Sequence, residues 1–264
     1  MNKPDLLAER QKFSVAAPTY EQGAKAQAES AERLLNFLPH SGFSRLLEAG
    51  CGTGLLTRRL GELYESVEIY AFDFSTSMVA RAAAARQTGS FCWFVADARQ
   101  FSLNKKFPLI VSSTALHWAQ PLAAVFSNLA AHLQVEGKFI FNLMTANTLW
   151  ELQKIRSRVA PDKAPARPLP RINQVRRALA EAGLKVEEEE TVEITVDYAS
   201  ASDFLNSLKR RGVTGRTVAA PRLPLTPGEL RRLRELYEKK YSHNGGVRAT
   251  YEVGFYVTKP VMSR

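Results

Sequence analysis

Only two cysteines, Cys51 and Cys92, occur in 264 residues, and the four histidines join them in no cluster with metal-ligand spacing. That scarcity excludes a disulfide framework and argues against a structural metal. No apolar run approaches the roughly 20 residues that cross a bilayer. The opening MNKPDLLAERQKF also lacks the apolar core of a secretion signal. A cytoplasmic protein with no membrane partner is the expectation. Gly-Lys-Ser/Thr is missing, so an ATPase-type phosphate cradle is disfavoured. No internal repeat is visible. No stretch combines aromatic and basic residues as RNA- and DNA-binding modules do, so nucleic acid is not expected as a partner.

What is abundant is positive charge. The net charge is +10, and residues 151–264 alone carry 22 Lys and Arg against 14 Asp and Glu. Such an excess either steers an acidic partner or simply solvates the surface. The length suits one large α/β domain, or a core with an inserted lobe.

The chain is organised around Leu46-Leu47-Glu48-Ala49-Gly50-Cys51-Gly52-Thr53-Gly54. A short apolar run closed by a turn signal reads as a buried strand. Leu55, Leu56, Leu60 and Leu63 then follow at helical spacing. Glycine is required where a strand turns sharply into a helix and where bare backbone approaches a ligand. Amides at the start of that helix favour an anionic group. Dinucleotide sites use a similar device, but with Gly-x-Gly-x-x-Gly spacing. The Gly-x-Gly-x-Gly pattern here, behind an acidic Glu48, resembles the first motif of class I S-adenosylmethionine-dependent methyltransferases.

Two further strands end in acid. Residues 67–74 close on Asp73, nineteen positions after Gly54, and residues 91–96 close on Asp97. In open α/β sheets ligands bind outside the strands' carboxyl ends, and an acid closing the second strand meets a ribose. Asp97 is placed to accept from an exocyclic amine. Ser75 is a helix cap. Met78 in the following helix suits either the adenine or the core. The methyltransferase resemblance implies S-adenosylmethionine as cofactor, held by Tyr20, Glu48, Gly50, Cys51, Gly52, Gly54, Asp73, Phe74, Met78, Asp97, Ala98 and Ser113.

Ahead of the glycine turn, Ala28, Ala31, Leu34, Leu35 and Leu38 predict a helix that covers the ligand cleft and stops at Pro39 and Gly42. Tyr20 precedes it, in an expected loop, where it either closes over a cofactor or merely packs. After the glycine turn, residues 107–113 predict a fourth strand, followed by the loop Thr114 to Trp118 and a helix opened by Pro121. Gly137 precedes a fifth strand over 138–144. No Asn-Pro-Pro-Tyr arrangement follows the fourth strand, so methylation of a nitrogen is disfavoured. His117 in that loop suits a base, a donor or a packed residue. Helices are predicted over 148–159, 172–182 and 203–209, with another starting at the Thr226-Pro227-Gly228-Glu229 capping box. Strands are predicted over 187–196 and 251–258.

Over nearly its whole length the chain is similar to the malonyl-acyl-carrier-protein O-methyltransferases of biotin synthesis. The similarity runs through Phe13-x-x-Ala16-Ala17-x-x-Tyr20, the glycine motif, residues 113–118 and Asn147 to Leu152. Ser207-Leu208-Lys209 with Gly212 and Thr214, and Ala249 to Val253, are the more specific stretches. His117 stands where the family often has glutamine, and Asn147 to Leu152 departs from Gly-Ser-Leu-Pro-Glu-Leu. The resemblance implies a Rossmann-like α/β fold with a seven-stranded, mostly parallel sheet, its last strand antiparallel and a helical insert after strand five. Residues 1–144 would form the lid helix and cofactor core. Residues 145–184 and 199–248 would form a helical substrate lobe, with 185–198 and 249–264 completing the sheet.

The implied reaction moves a methyl group from S-adenosylmethionine to the free carboxylate of a malonyl thioester. The thioester is carried on acyl-carrier protein or on CoA, and the enzyme is expected to be a monomer. A carboxylate is already ionised near neutrality, so no general base is needed. Tyr20, His117, Trp118, Lys209 and Arg210 are the implied substrate contacts, with Lys209 or a neighbouring arginine on the carboxylate or the phosphopantetheine. Lys209 as a plain surface lysine is the competing reading. Arg156, Arg158, Arg171, Arg176, Arg177, Arg210, Arg211 and Arg216 suggest a landing face for an acidic carrier. Two other functions stay open: carboxyl methylation of a free small acid of the aconitate type, and a non-methylating assembly factor.

Overall fold

Short apolar runs closed by turn residues become the strands of a single sheet. The computed structural model describes residues 3–40, 42–85, 88–163, 168–213 and 224–261. Its strands are β1 (Arg45–Ala49), β2 (Glu68–Asp73), β3 (Ser90–Val95), β4 (Phe107–Ser113), β5 (Leu133–Met144), β6 (Leu184–Tyr198), β7 (Ser242–His243) and β8 (Gly246–Pro260). The order across the sheet is β3-β2-β1-β4-β5-β8-β6, with two-residue β7 paired to β8 as an eighth strand. The β1 to β5 pairings are parallel, while β8 runs antiparallel to both β5 and β6. Strand order reverses between β1 and β4, the switch point where such sheets open a crevice for ligands.

Alternation along the strands divides the core. Leu46, Ile69, Leu109, Val111 and Ile140 share one cluster with α3 (Lys25–Leu35), α4 (Leu55–Leu63), α7 (Trp150–Val159), α9 (Ala201–Arg210) and α10 (Pro227–Tyr241). Leu47, Tyr70, Phe72, Ile110, Phe139 and Phe141 share the other with α6 (Leu122–Ala131) and α8 (Ile172–Glu181). Helix α5 (Thr76–Ala84) sends Val79 into the first cluster and Met78 into a small third one beside Phe13. Period-2 strands buried on both faces produce this three-layer arrangement. Thr226 caps α10, with Glu229 reciprocating, as the capping box requires.

The sheet divides the expected substrate lobe. Helices α7, α9 and α10 pack together on one face, whereas α8 lies beside α6 on the other. Strand β5 starts at Leu133, ahead of Gly137, because the β4–β5 register shifts between Phe107 and Leu109 and the chain bulges there. The N-terminal segment is three helices, α1 (Lys3–Ala16), α2 (Tyr20–Gly23) and α3. Tyr20 therefore opens a helical turn where a loop was expected. Among the described residues, no helix is long and apolar enough to cross a membrane, and no group of His, Cys, Asp and Glu could hold a metal.

Candidate functional site

The glycine turn after β1 is tied to β2. Gly50 and Cys51 donate their amides to the Phe72 carbonyl at 2.8 and 2.9 Å, and Gly52 N donates to Asp73 Oδ2 at 3.1 Å. Gly50, Gly52 and Gly54 all hold positive φ, at 76°, 54° and 89°, a conformation glycine adopts without steric cost. Ser75 N donates to Asp73 Oδ1 at 2.9 Å, so both carboxylate oxygens are oriented by backbone. Ser75 also caps α5, as its sequence position requires.

Above these strand ends lies a cavity. Tyr20, Glu48, Gly50, Cys51, Gly52, Asp73, Phe74, Met78, Asp97, Ala98 and Ser113 all line it. Gly54 does not. It is the αL residue from which α4 starts, and its place is the turn itself. Glu48 and Asp73 are buried, and Glu48 Oε2 has no hydrogen-bond partner among the described residues. Burial pushes the Glu48 carboxyl up to about 7 and Asp73 up to about 6. The Cys51 thiol is also raised by burial, which makes it an unreactive wall. Burial would raise Asp97 too, but Arg99 grips both its oxygens and outweighs that, holding it below the ordinary range.

Helix α1 closes one side. Phe13 meets Trp118 edge-on at 5.1 Å and Phe74 at 5.7 Å, and Ser14 bonds Ser75 across 3.0 Å. Asn142 in β5 fixes the loop after β4. Its Oδ1 accepts from Thr114 N at 2.9 Å and from the Ser113 hydroxyl at 3.2 Å, while Nδ2 donates to the Ser30 carbonyl in α3. Thr114 (φ 47°) and Leu149 (φ 56°) hold left-handed backbone at the cavity walls. Such conformations cost a non-glycine residue about 1–2 kcal/mol, and they cluster at functional sites.

A smaller cavity adjoins the first and shares Phe13, Tyr20, Gln27 and Trp118 with it. His117, Leu149, Leu208, Arg211 and Tyr251 are among its other walls. Burial drives the His117 imidazole down to about 3, so it is neutral, and its Nδ1 lacks a partner among the described residues. Tyr20 is pushed up to about 12 by burial, against the pull of Arg211, and keeps its hydroxyl proton.

Lys209 and Arg210 are not brought to either cavity. Lys209 is exposed on α9, and Arg210 pairs with Asp203 at 3.3 Å. The helical period turns the next residue inward: Arg211 is 1% exposed and lines the smaller cavity. Gln27 and Tyr251, which bond Arg211, and Asn142, which fixes the loop after β4, were not singled out as site residues by their spacing, because each lies in an element that reads as ordinary packing. The supposed landing face is thinned in the same way. Arg156 and Arg211 are buried, Arg176 and Arg177 pair with Glu189 and Glu181, and Arg216, like Thr214 of the motif, lies outside the described residues.

A family model described as a methyltransferase domain matches residues 46–137. A malonyl-acyl-carrier-protein O-methyltransferase of Hahella chejuensis is 31% identical over 243 residues, covering 92% of this chain and 86% of its own length. Enzymes of the same name from Paenibacillus (30% identical, 96% of this chain and 98% of its own length covered) and Bacillus anthracis (28%, 95% and 96%) extend the likeness over nearly the whole of both chains. A putative methyltransferase of Bacillus halodurans superposes with a TM-score of 0.60 at 14% identity, covering 89% of this chain and 100% of its own. A geranyl diphosphate C-methyltransferase of Streptomyces coelicolor, solved with S-adenosyl-L-homocysteine, superposes at 0.50 with 15% identity, covering 88% and 78%.

Proposed function

The chain belongs to the malonyl-acyl-carrier-protein O-methyltransferases, and from that premise we propose that it esterifies the free carboxylate of a malonyl group borne by acyl-carrier protein. The methyl donor is S-adenosylmethionine, which when bound supplies a methyl group on a positively charged sulfur. The residues of the larger cavity suit that group. Among the described residues, Glu48 Oε2 is buried and unpartnered, and a Cβ on Gly52 would meet nothing within 4 Å, so bare backbone faces open space. Asp73 keeps lone pairs for hydroxyl donors, and Met78, Phe74 and Ala98 offer apolar surface for a flat base.

The acceptor takes the smaller cavity. The observation that carries this reading is the wall common to both, built from Phe13, Tyr20, Gln27 and Trp118, beside which donor and acceptor meet. A carboxylate oxygen attacks carbon, the sulfur–carbon electron pair stays on sulfur, and the two opposite charges cancel. No proton moves, in keeping with a neutral His117 and a protonated Tyr20. Their work is to orient, and that of the Phe13–Trp118 contact is to keep water out.

We place Lys209 and Arg210 at the outer end of α9, where the phosphopantetheine or the acidic carrier arrives. The ester made this way would prime pimeloyl synthesis for biotin. Side-by-side assays with malonyl-carrier protein, malonyl-CoA and free trans-aconitate test the reading. The carrier-bound malonyl group is expected to be methylated with the highest kcat/KM, and preference for the free acid would overturn it.

A further inference from the structure

Arg211 is among the largest side chains in the molecule that are fully buried. Its Nε donates to the Ser207 carbonyl at 3.3 Å, Nη1 to Gln27 Oε1 at 3.0 Å, and Nη2 to the Tyr251 hydroxyl at 2.9 Å. The guanidinium also lies 5.5 Å from the centre of the Tyr251 ring. Every one of these partners is neutral, and no described carboxylate forms an ion pair with it. Among the described residues, three of its five N–H donors have partners. A guanidinium does not shed its proton, so the fold buries a full positive charge with no counter-ion among the described residues, an arrangement that is costly unless something anionic completes it.

The place where that charge is exposed to a ligand is specific. Arg211 lines the smaller cavity, and His117, 5% exposed, lines it too, with Nδ1 buried and unpartnered among the described residues. The cavity thus offers a fixed cation and a neutral imidazole that lacks a hydrogen bond. Three anchors from different elements lock the guanidinium: Gln27 on α3, Ser207 on α9 and Tyr251 on β8.

We propose that Arg211 is the anion anchor of the acceptor cavity, holding one oxygen of the ionised carboxylate so that the other attacks, and thereby selecting acid over ester. This rests on the reading of the two cavities as donor and acceptor sites. The anchor binds the ground state more strongly than the transition state, since the carboxylate's charge is dispersed as the methyl group arrives. Arg211 is therefore a binding and specificity residue whose loss falls on KM more than on kcat. Methylation removes the charge that the guanidinium holds, so the ester product loses its grip and leaves.

The test uses the full chain, with Arg211→Gln and Arg211→Lys as variants. S-adenosylhomocysteine affinity and thermal stability serve as folding controls. Kinetics are measured with malonyl-carrier protein, malonyl-CoA and free trans-aconitate, and competition with the methyl ester of the preferred acceptor. Arg211→Gln is expected to raise KM about tenfold or more while kcat changes less than about threefold, and Arg211→Lys to recover part of the loss. Wild type should bind acid in preference to ester by about tenfold or more, and Arg211→Gln should bring that ratio near one. If the Gln variant does not fold, the KM shift and the acid-to-ester ratio of the Lys variant decide. Unchanged KM and ratio in a folded variant would overturn the anchor while leaving the malonyl reading intact. Methylation of trans-aconitate alone, with the same dependence on Arg211, would retain the anchor and overturn the malonyl reading. Activity on none of the three acceptors would overturn both.

Discussion

Gly50, at the end of β1, stands against Ala115 in the loop after β4: a Cβ on Gly50 would lie 2.3 Å from the Ala115 methyl carbon. The two strands that flank the switch point are thereby pressed together at the floor of the larger cavity. Both positive φ and lack of space demand glycine there. Gly50→Ala is expected to lower Tm and weaken S-adenosylhomocysteine binding at least about tenfold, since the strain of about 1–2 kcal/mol is joined by a backbone shift. Calorimetry with the purified variant checks this, and an unchanged Kd would show that the floor tolerates displacement.

Glu48 and Asp73 give the cavity a pH signature. Their folded-state pKa values are about 7 and about 6, raised chiefly by burial, while in the unfolded chain both titrate near 4. Between about pH 4 and 7 the folded state holds more protons than the unfolded one. The stability these groups contribute is complete at low pH and is lost as pH rises through that window. A ligand that brings hydroxyl and ammonium donors favours the ionised carboxylates and tightens in the opposite direction. The thermal shift caused by saturating S-adenosylhomocysteine should be larger at about pH 8 than at about pH 5.5. Asp73→Asn should reduce both the shift and its pH slope, and a shift that is greater in acid would contradict the assignment.

Lys209 provides a separate test of the outer end of α9. It is exposed and lines neither cavity. Lys209→Glu should therefore raise KM for malonyl-carrier protein by about 3- to 10-fold, with weaker dependence on salt, because long-range steering is screened by ions. The small malonyl N-acetylcysteamine thioester should be methylated as before. Equal losses on both acceptors would place Lys209 inside the acceptor site.

Much of this was legible in the sequence because backbone requirements leave compositional traces. Three glycines at alternate positions mark a turn that needs positive φ, and acids ending Glu48's, Asp73's and Asp97's strands mark a ligand edge. The helix at Thr226 was legible for the same reason. What escaped depends on tertiary geometry. Arg211 follows two other cations, and only the phase of α9 and the chain's departure at Gly212 turn it inward while Lys209 faces out. Asn142 sits in an apolar strand, where nothing local signals that it braces the Ser113–Thr114 loop. The side of the sheet taken by α8 was equally invisible, since an amphipathic pattern specifies a buried face but not which layer receives it.

The most direct measurement is the intact mass of malonyl-carrier protein after incubation with the enzyme and S-adenosylmethionine. The account predicts a gain of one methyl group, located on the malonyl carboxyl and dependent on the donor. A carrier whose mass stays unchanged, with an enzyme that still binds S-adenosylhomocysteine, would contradict it.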